Sequence, residues 1–167
     1  MLRKRRPRAP LPLEQADSAP AALAAAVAHL SRRDFCSAEL AVRLASEGFS
    51  TQAVQAALAQ ACERRYVDDE RYAQQFVASR AQRGQGPLRI RRELTGLGLS
   101  EALAEGALQT HGEAQGGWVS LARAVRIRRF GAASPRGARE AARQARFLQY
   151  RGFSNDDIRS AAGHDID

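Results

Sequence analysis

The chain has 167 residues, 44% of them apolar and 26% charged, a mixture that supports a packed core and excludes a collagen-like, mucin-like or wholly disordered polypeptide. Lysine and arginine number 26 against 18 acidic residues, a net charge of +8, so the expected partner is acidic: nucleic acid, an anionic membrane or an acidic protein groove. No apolar run reaches the roughly 20 residues needed to span a bilayer, and no apolar stretch follows the basic N-terminus as an export signal requires, so a cytoplasmic protein without a membrane partner is expected.

In chain order, residues 1–18 are basic at the start and interrupted by prolines, which predicts a flexible N-terminal arm. Beyond it, good helix formers fill the chain and no period-two pattern of β-branched or aromatic residues appears, so the fold class is all-α. Helices are predicted at about 20–32, 37–47, 50–64, 69–83, 87–97, 100–110, 117–130, 135–150 and 154–163. They group by internal similarity. Leu44, Gly48, Phe49, Ser50, Val54 and Leu58 recur as Leu94, Gly98, Leu99, Ser100, Ala104 and Leu108, and again as Leu148, Gly152, Phe153, Ser154, Ile158 and Ala162. In each copy a glycine supplies the left-handed residue that ends one helix, the next apolar residue packs back, and a serine caps the following helix. Asp157, three residues after Ser154, suggests a capping box. Gly86-Pro87 and Ser134-Pro135 each put a cap before a proline at the first helical position. The prediction is a tandem array of three three-helix repeats at 19–64, 65–112 and 113–163, with a tail at 164–167. Short units of this kind bury little alone and stack into an elongated, curved, solenoid-like molecule.

Charge is unevenly spread along this array. Residues 1–9 carry +5, residues 10–114 carry −2, residues 115–151 carry +8 with Glu140 as their one acid, and residues 152–167 carry −3. On the middle helix of the third copy, Arg136, Arg139, Arg143 and Arg146 fall within an arc of about 80°, opposite Ala138, Ala141, Ala142, Ala145 and Leu148. Arg123, Arg126, Arg128 and Arg129 on the preceding helix add to the same field. Phe147 and Tyr150 fall on the arginine side, where they either stack on bases or pack on a neighbouring helix.

Sites of catalysis are not indicated. Asp68, Asp69 and Glu70 resemble a carboxylate cluster, but they stand where a helix begins and acids cap and complement its N-terminus. Gly84-Gln85-Gly86-Pro87 lacks the strand and the Lys-Ser or Lys-Thr of a phosphate loop and reads as an inter-helix turn. Cys36 and Cys62 have no metal-ligand spacing and no partner base. No cofactor, metal or enzymatic activity is expected.

Four strings carry a resemblance. RRDFCSAELAVRL (Arg32 to Leu44), YVDDERYAQQFVASR (Tyr66 to Arg80), GQGPLRIRRELTGLGL (Gly84 to Leu99) and RFLQYRGFSNDDI (Arg146 to Ile158) resemble the RecX family, regulators of the RecA recombinase, in the family's order. The family's glycine before the second string is Arg65 here, the serine of its first-repeat RxxS element is Cys36, and a lysine near the end of its middle helix is Leu97. The resemblance implies tandem three-helix repeats and a non-enzymatic modulator of DNA repair, homologous recombination and the SOS response. Such a protein binds the RecA filament on single-stranded DNA and inhibits its ATPase, strand-exchange and coprotease activities. Its expected contacts are Arg123, Arg126, Arg128, Arg129, Arg136, Arg139, Arg143 and Arg146, with Arg89, Arg91 and Arg92 of the second copy and Arg151. Phe147 and Tyr150 are the stacking candidates. Direct binding to single-stranded DNA is expected to be weak, non-specific and salt-sensitive, by a monomer. The alternatives are a sequence-specific helix-turn-helix transcription regulator and a nuclease built on Asp68, Asp69 and Glu70.

Overall fold

The structure, a computed structural model, describes residues 11–114 and 116–162. The basic stretch 1–9 and the tail 164–167 lie outside the described residues. Among those residues there are ten helices and no strand: α1 (Leu13–Ala16), α2 (Ala19–Leu30), α3 (Ser37–Ser46), α4 (Thr51–Glu63), α5 (Asp69–Gln82), α6 (Pro87–Gly96), α7 (Glu101–Ala114), α8 (Gly117–Phe130), α9 (Ala138–Arg151) and α10 (Asn155–Ala161). The chain is all-α, as expected.

Two elements differ from expectation. The predicted flexible arm contains α1, and its end is tied down: the Ser50 amide donates to the Ala16 carbonyl at 2.9 Å. Leu11 lies against Gly48. An apolar residue and an unused carbonyl thus find partners at a helix joint. The second correction is the start of α9, which is Ala138 rather than Pro135. Gly137 adopts φ 148° and ψ 175°, an extended conformation open to glycine alone, and it breaks the helix that Ser134-Pro135 would have started. Arg136 accordingly stands in the connecting loop, its amide donating to the Glu140 carboxylate at 2.9 Å.

The repeated joint is the same in all three copies. Gly48, Gly98 and Gly152 have φ of 101°, 92° and 93°. The amides of Phe49, Leu99 and Phe153 donate to the carbonyls of Leu44, Leu94 and Leu148 at 3.3, 3.3 and 3.1 Å, and each glycine amide donates to the carbonyl three residues before it. This is the two-bond Schellman termination. Each serine then caps the next helix, Ser50 accepting from Ala53, Ser100 from Leu103 and Ser154 from Asp157. Ser154 and Asp157 complete the capping box. Leu44, Leu94 and Leu148, at the equivalent core position, are essentially inaccessible to solvent, each contributing about 1.5–3 kcal/mol of burial.

The chain divides into two compact units, one ending at Tyr72 and one beginning at Ala73. In the first, α2 packs on α4 over a core that includes Ala26, Phe35, Leu40, Leu44, Val54 and Val67. In the second, α8 packs on α10, and Ala122, Val125, Leu148, Phe153 and Ile158 form a core cluster. Within that unit α6 and α9 meet end to end. The amides of Gly86 and Leu88 donate to the carbonyls of Arg151 and Gly152 at 2.8 and 3.0 Å. Donors left free at the start of one helix therefore satisfy carbonyls at the end of another, with the helix dipoles aligned head to tail. A Cβ on Gly86 would lie 2.4 Å from the Gly152 carbonyl carbon, and one on Gly152 would lie 2.3 Å from the Arg89 Cβ. Only glycine admits this backbone approach.

Candidate nucleic-acid and recombinase interface

Helix α9 carries the candidate surface. Arg139, Arg143 and Arg146 are exposed along one stripe, and Tyr150, 78% exposed, continues it one turn further on. On the opposite side Leu148 and Gln144 are buried and Ala141 and Ala145 are partly covered. Two alanines assigned to that inner side, Ala138 and Ala142, are exposed instead. Glu140, the one acid of this segment, accepts from the Arg136 amide at 2.9 Å and forms no ion pair with a guanidinium among the described residues. Among the described residues, Arg139 and Arg146 have no ion-pair partner. Arg143 lies over the Phe130 ring at 5.3 Å, with Arg129 at 5.9 Å from the same ring. Stacking occupies the flat face of a guanidinium and leaves its N–H edge for an anion. Arg136, Arg139 and Arg143 line an open cleft of about 530 Å³ at the start of α9.

The other predicted residues fall into distinct settings. Arg128 and Arg129 on α8 are exposed. Arg123 is exposed and reaches the Ser160 carbonyl at 3.4 Å. Arg92 is exposed without an ion-pair partner among the described residues. Arg89 and Arg91 are internally neutralised: Arg89 pairs with Glu93 at 2.9 Å, which also holds Arg80, and Arg91 pairs with Glu105 at 2.5 Å. The Glu93 hydrogen bond, reinforced by charge and by Tyr150, raises the Arg89 pKa above its ordinary value. Arg151 covers the Phe147 ring at 5.3 Å and donates to the Arg83 carbonyl at 3.1 Å, bracing the α6–α9 joint.

Two candidates drop out of the surface. Arg126 is 7% exposed, its Nη1 donating to the Ala133 carbonyl at 3.2 Å and to the Gln144 side-chain oxygen at 3.4 Å. Its place on the inner side of α8, one residue after buried Val125, turns it inward. Phe147 packs against the third-repeat core and meets Phe130 edge-on at 5.3 Å, which leaves Tyr150 as the accessible ring.

The acidic cluster is structural. The Asp68 carboxylate caps α5, accepting from the Arg71 amide at 2.9 Å, and pairs with Arg65. That cap, more than Arg65, lowers its pKa. Asp69 reaches across to the start of α3, accepting from the Ser37 amide at 2.7 Å and from the Ser37 hydroxyl. It thereby caps the start of α3. This bridge joins residues 32 positions apart and has no local sequence signal. Buried Cys36 has its thiol pKa raised by desolvation.

Family models described as the second and third three-helix domains of RecX match residues 68–108 and 119–161. The chain is similar to the regulatory protein RecX of Halorhodospira halophila, 44% identical over 138 residues that span 83% of this chain and 84% of the relative. It is also similar to that of Stenotrophomonas maltophilia strain K279a, 36% identical over 99% of this chain and 93% of the relative. Its fold resembles the crystal structure of RecX from Lactobacillus salivarius, with a TM-score of 0.76 and 20% identity over 87% of this chain and 94% of that one. A second RecX crystal structure matches with a TM-score of 0.72 and 22% identity, over 91% of this chain and 74% of that one. With repeats, joints and near-full-length relatives in agreement, the chain belongs to the RecX family of regulatory proteins.

Proposed function

We propose that this protein is a cytoplasmic, non-catalytic regulator that binds a RecA filament on single-stranded DNA and inhibits its ATPase, strand-exchange and coprotease activities. The observation that carries the reading is the stripe Arg139, Arg143, Arg146 and Tyr150 on α9, exposed and unopposed by any ion-paired acid among the described residues. Guanidinium groups held this way bind phosphate oxygens or acidic side chains without reading sequence, and a single accessible tyrosine offers a stacking face to an unpaired base. Arg136, Arg128, Arg129 and Arg92 extend the positive field. Relatives named as regulatory proteins support a role in control rather than chemistry.

Titrating the protein into RecA hydrolysing ATP on single-stranded DNA tests the proposal. Hydrolysis should fall in a dose-dependent and salt-sensitive manner. Unchanged hydrolysis at saturating protein and low salt would refute it.

A further inference from the structure

The second unit also contains a cleft of about 410 Å³, lined by the ends of α5 and α7 and the start of α8, that shares no residue with the α9 stripe. Its walls are methyl-sized: Ala78 and Ala81 of α5 line it, as does Ala124 of α8, so the slot they leave is flat and apolar. Two rings line it as well, Trp118 and His111, with centroids 5.4 Å apart and planes tilted by 40°. The indole is fixed by its pyrrole edge. A Cβ on Gly112 would lie 3.0 Å from Trp118 Nε1 and 3.3 Å from its Cδ1, so that edge rests on the α7 backbone while the rest of the ring stays partly exposed. Held this way, the indole is a preorganised platform that loses little freedom when a second ring covers it.

Polar groups stand among these apolar ones. Gln82 brings an amide, which donates and accepts. The Ser120 hydroxyl donates to the Gly116 carbonyl at 2.7 Å, which leaves its oxygen as an acceptor. Desolvation lowers the His111 pKa, so at neutral pH the ring is uncharged, with one nitrogen to donate and one to accept. A mainly apolar pocket with a few polar groups and a perturbed histidine is the usual form of a small-ligand site. The ligand that fits is flat, apolar on its faces and hydrogen-bonding at its edges. An aliphatic or phenyl side chain would cover Gln82 and His111 without pairing them, whereas a nucleobase pairs them, and the net charge of +8 favours a ligand that carries phosphate. We propose that this cleft binds a nucleobase, stacked on Trp118 with its edge toward Gln82 and His111. The base can belong to a single strand or to a free nucleotide, since both present the same ring.

Trp118 is the chain's one tryptophan, so its fluorescence reports on the cleft directly. The full-length protein is titrated with oligothymidylate, with an abasic strand of the same length and charge, and with thymidine monophosphate. The two base-bearing probes should quench the indole and the abasic strand should not, because stacking needs a ring and tolerates any base. Quenching by oligothymidylate alone assigns the cleft to a base held in a strand; quenching by the monophosphate as well extends it to free nucleotides. Ala124→Leu, at an exposed helical position, fills the slot and should weaken binding about tenfold or more with an unchanged circular dichroism spectrum. The variant Arg139→Ala/Arg143→Ala/Arg146→Ala should weaken strand binding without altering the response to the monophosphate, which separates a failure of this cleft from a failure of the α9 surface. Fluorescence unmoved by either base-bearing probe would overturn the proposal. Equal quenching by the abasic strand, or undiminished affinity in Ala124→Leu, would overturn it too.

Discussion

Gly152→Ala is the sharpest perturbation of the joint that fixes the basic helix in its unit. Two costs separate cleanly. The first is backbone strain: at φ 93° and ψ 23° an L-residue costs about 1–2 kcal/mol, partly offset by the reduced freedom of the unfolded chain, about 0.4–1 kcal/mol. Gly116, in the same unit at φ 73° and ψ 18°, would meet the same strain. A Cβ there finds nothing closer than the Ser120 hydroxyl at 3.8 Å, so Gly116→Ala should cost about 0.5–1 kcal/mol. The second cost belongs to Gly152 alone. Its Cβ would lie 2.3 Å from the Arg89 Cβ and 2.7 Å from the Arg89 amide nitrogen, so α6 must withdraw by an ångström or more. That withdrawal breaks the bonds from the Gly86 and Leu88 amides, each worth about 0.5–1.5 kcal/mol, and loosens the packing by a further 1–3 kcal/mol. The total is about 3–5 kcal/mol. Urea unfolding followed by circular dichroism and by the fluorescence of Trp118 compares the two variants. Equal midpoints for Gly116→Ala and Gly152→Ala would show that α6 and α9 do not meet as described.

Arg65 stands at φ 56° in the left-handed position that ends α4, so Arg65→Gly should stabilise by about 0.5 kcal/mol, the relief of strain exceeding the entropy that glycine adds to the unfolded state; a lower urea midpoint would contradict this. Asp69→Ala removes the acceptor of the Ser37 amide and should destabilise by about 1–2 kcal/mol, with hydrogen exchange at Ser37 accelerated while exchange in α9 is unchanged. Burial beside Trp118 lowers the His111 pKa below its ordinary value. The unfolded state therefore takes up its proton first as pH falls past about 6.5, and stability drops from there down to the folded value. His111→Gln should flatten that part of the urea-midpoint profile between pH 7.5 and 5.5, and an unaltered profile would exclude the assignment.

The repeated joints were legible because their chemistry is local. Glycine, apolar residue and serine occupy consecutive positions, and every bond they make lies within a few residues. The start of α9 was misjudged because Ser134-Pro135 is a genuine start signal that Gly137, two residues later, overrides. Three features that shape the candidate surface depend on distant partners: Arg126 turns inward because Gln144 receives it, Arg91 is claimed by Glu105, and Phe147 is claimed by Phe130. The Arg89–Glu93 pair, four residues apart on α6, is local and was readable from spacing alone. Helical periodicity places a side chain on a face but does not say which acids or rings the neighbouring helix will bring. The exposure of Arg139, Arg143 and Arg146 was legible because it follows from helical periodicity alone, and Glu140, the one acid of residues 115–151, bonds a backbone amide.

The measurement that bears most directly on the central claim compares two charge-matched triple variants in the RecA ATPase assay. One replaces Arg139, Arg143 and Arg146 by alanine. The other replaces Arg32, Arg64 and Arg71, all exposed in the first unit. If each α9 guanidinium contributes about 1 kcal/mol to the contact, the first variant should need about a hundredfold more protein for half-inhibition. The salt slope of its single-stranded DNA binding should fall by about 2. The second variant should inhibit like the unmodified chain. Equal inhibition by both variants would contradict the assignment of α9 as the anion-binding surface.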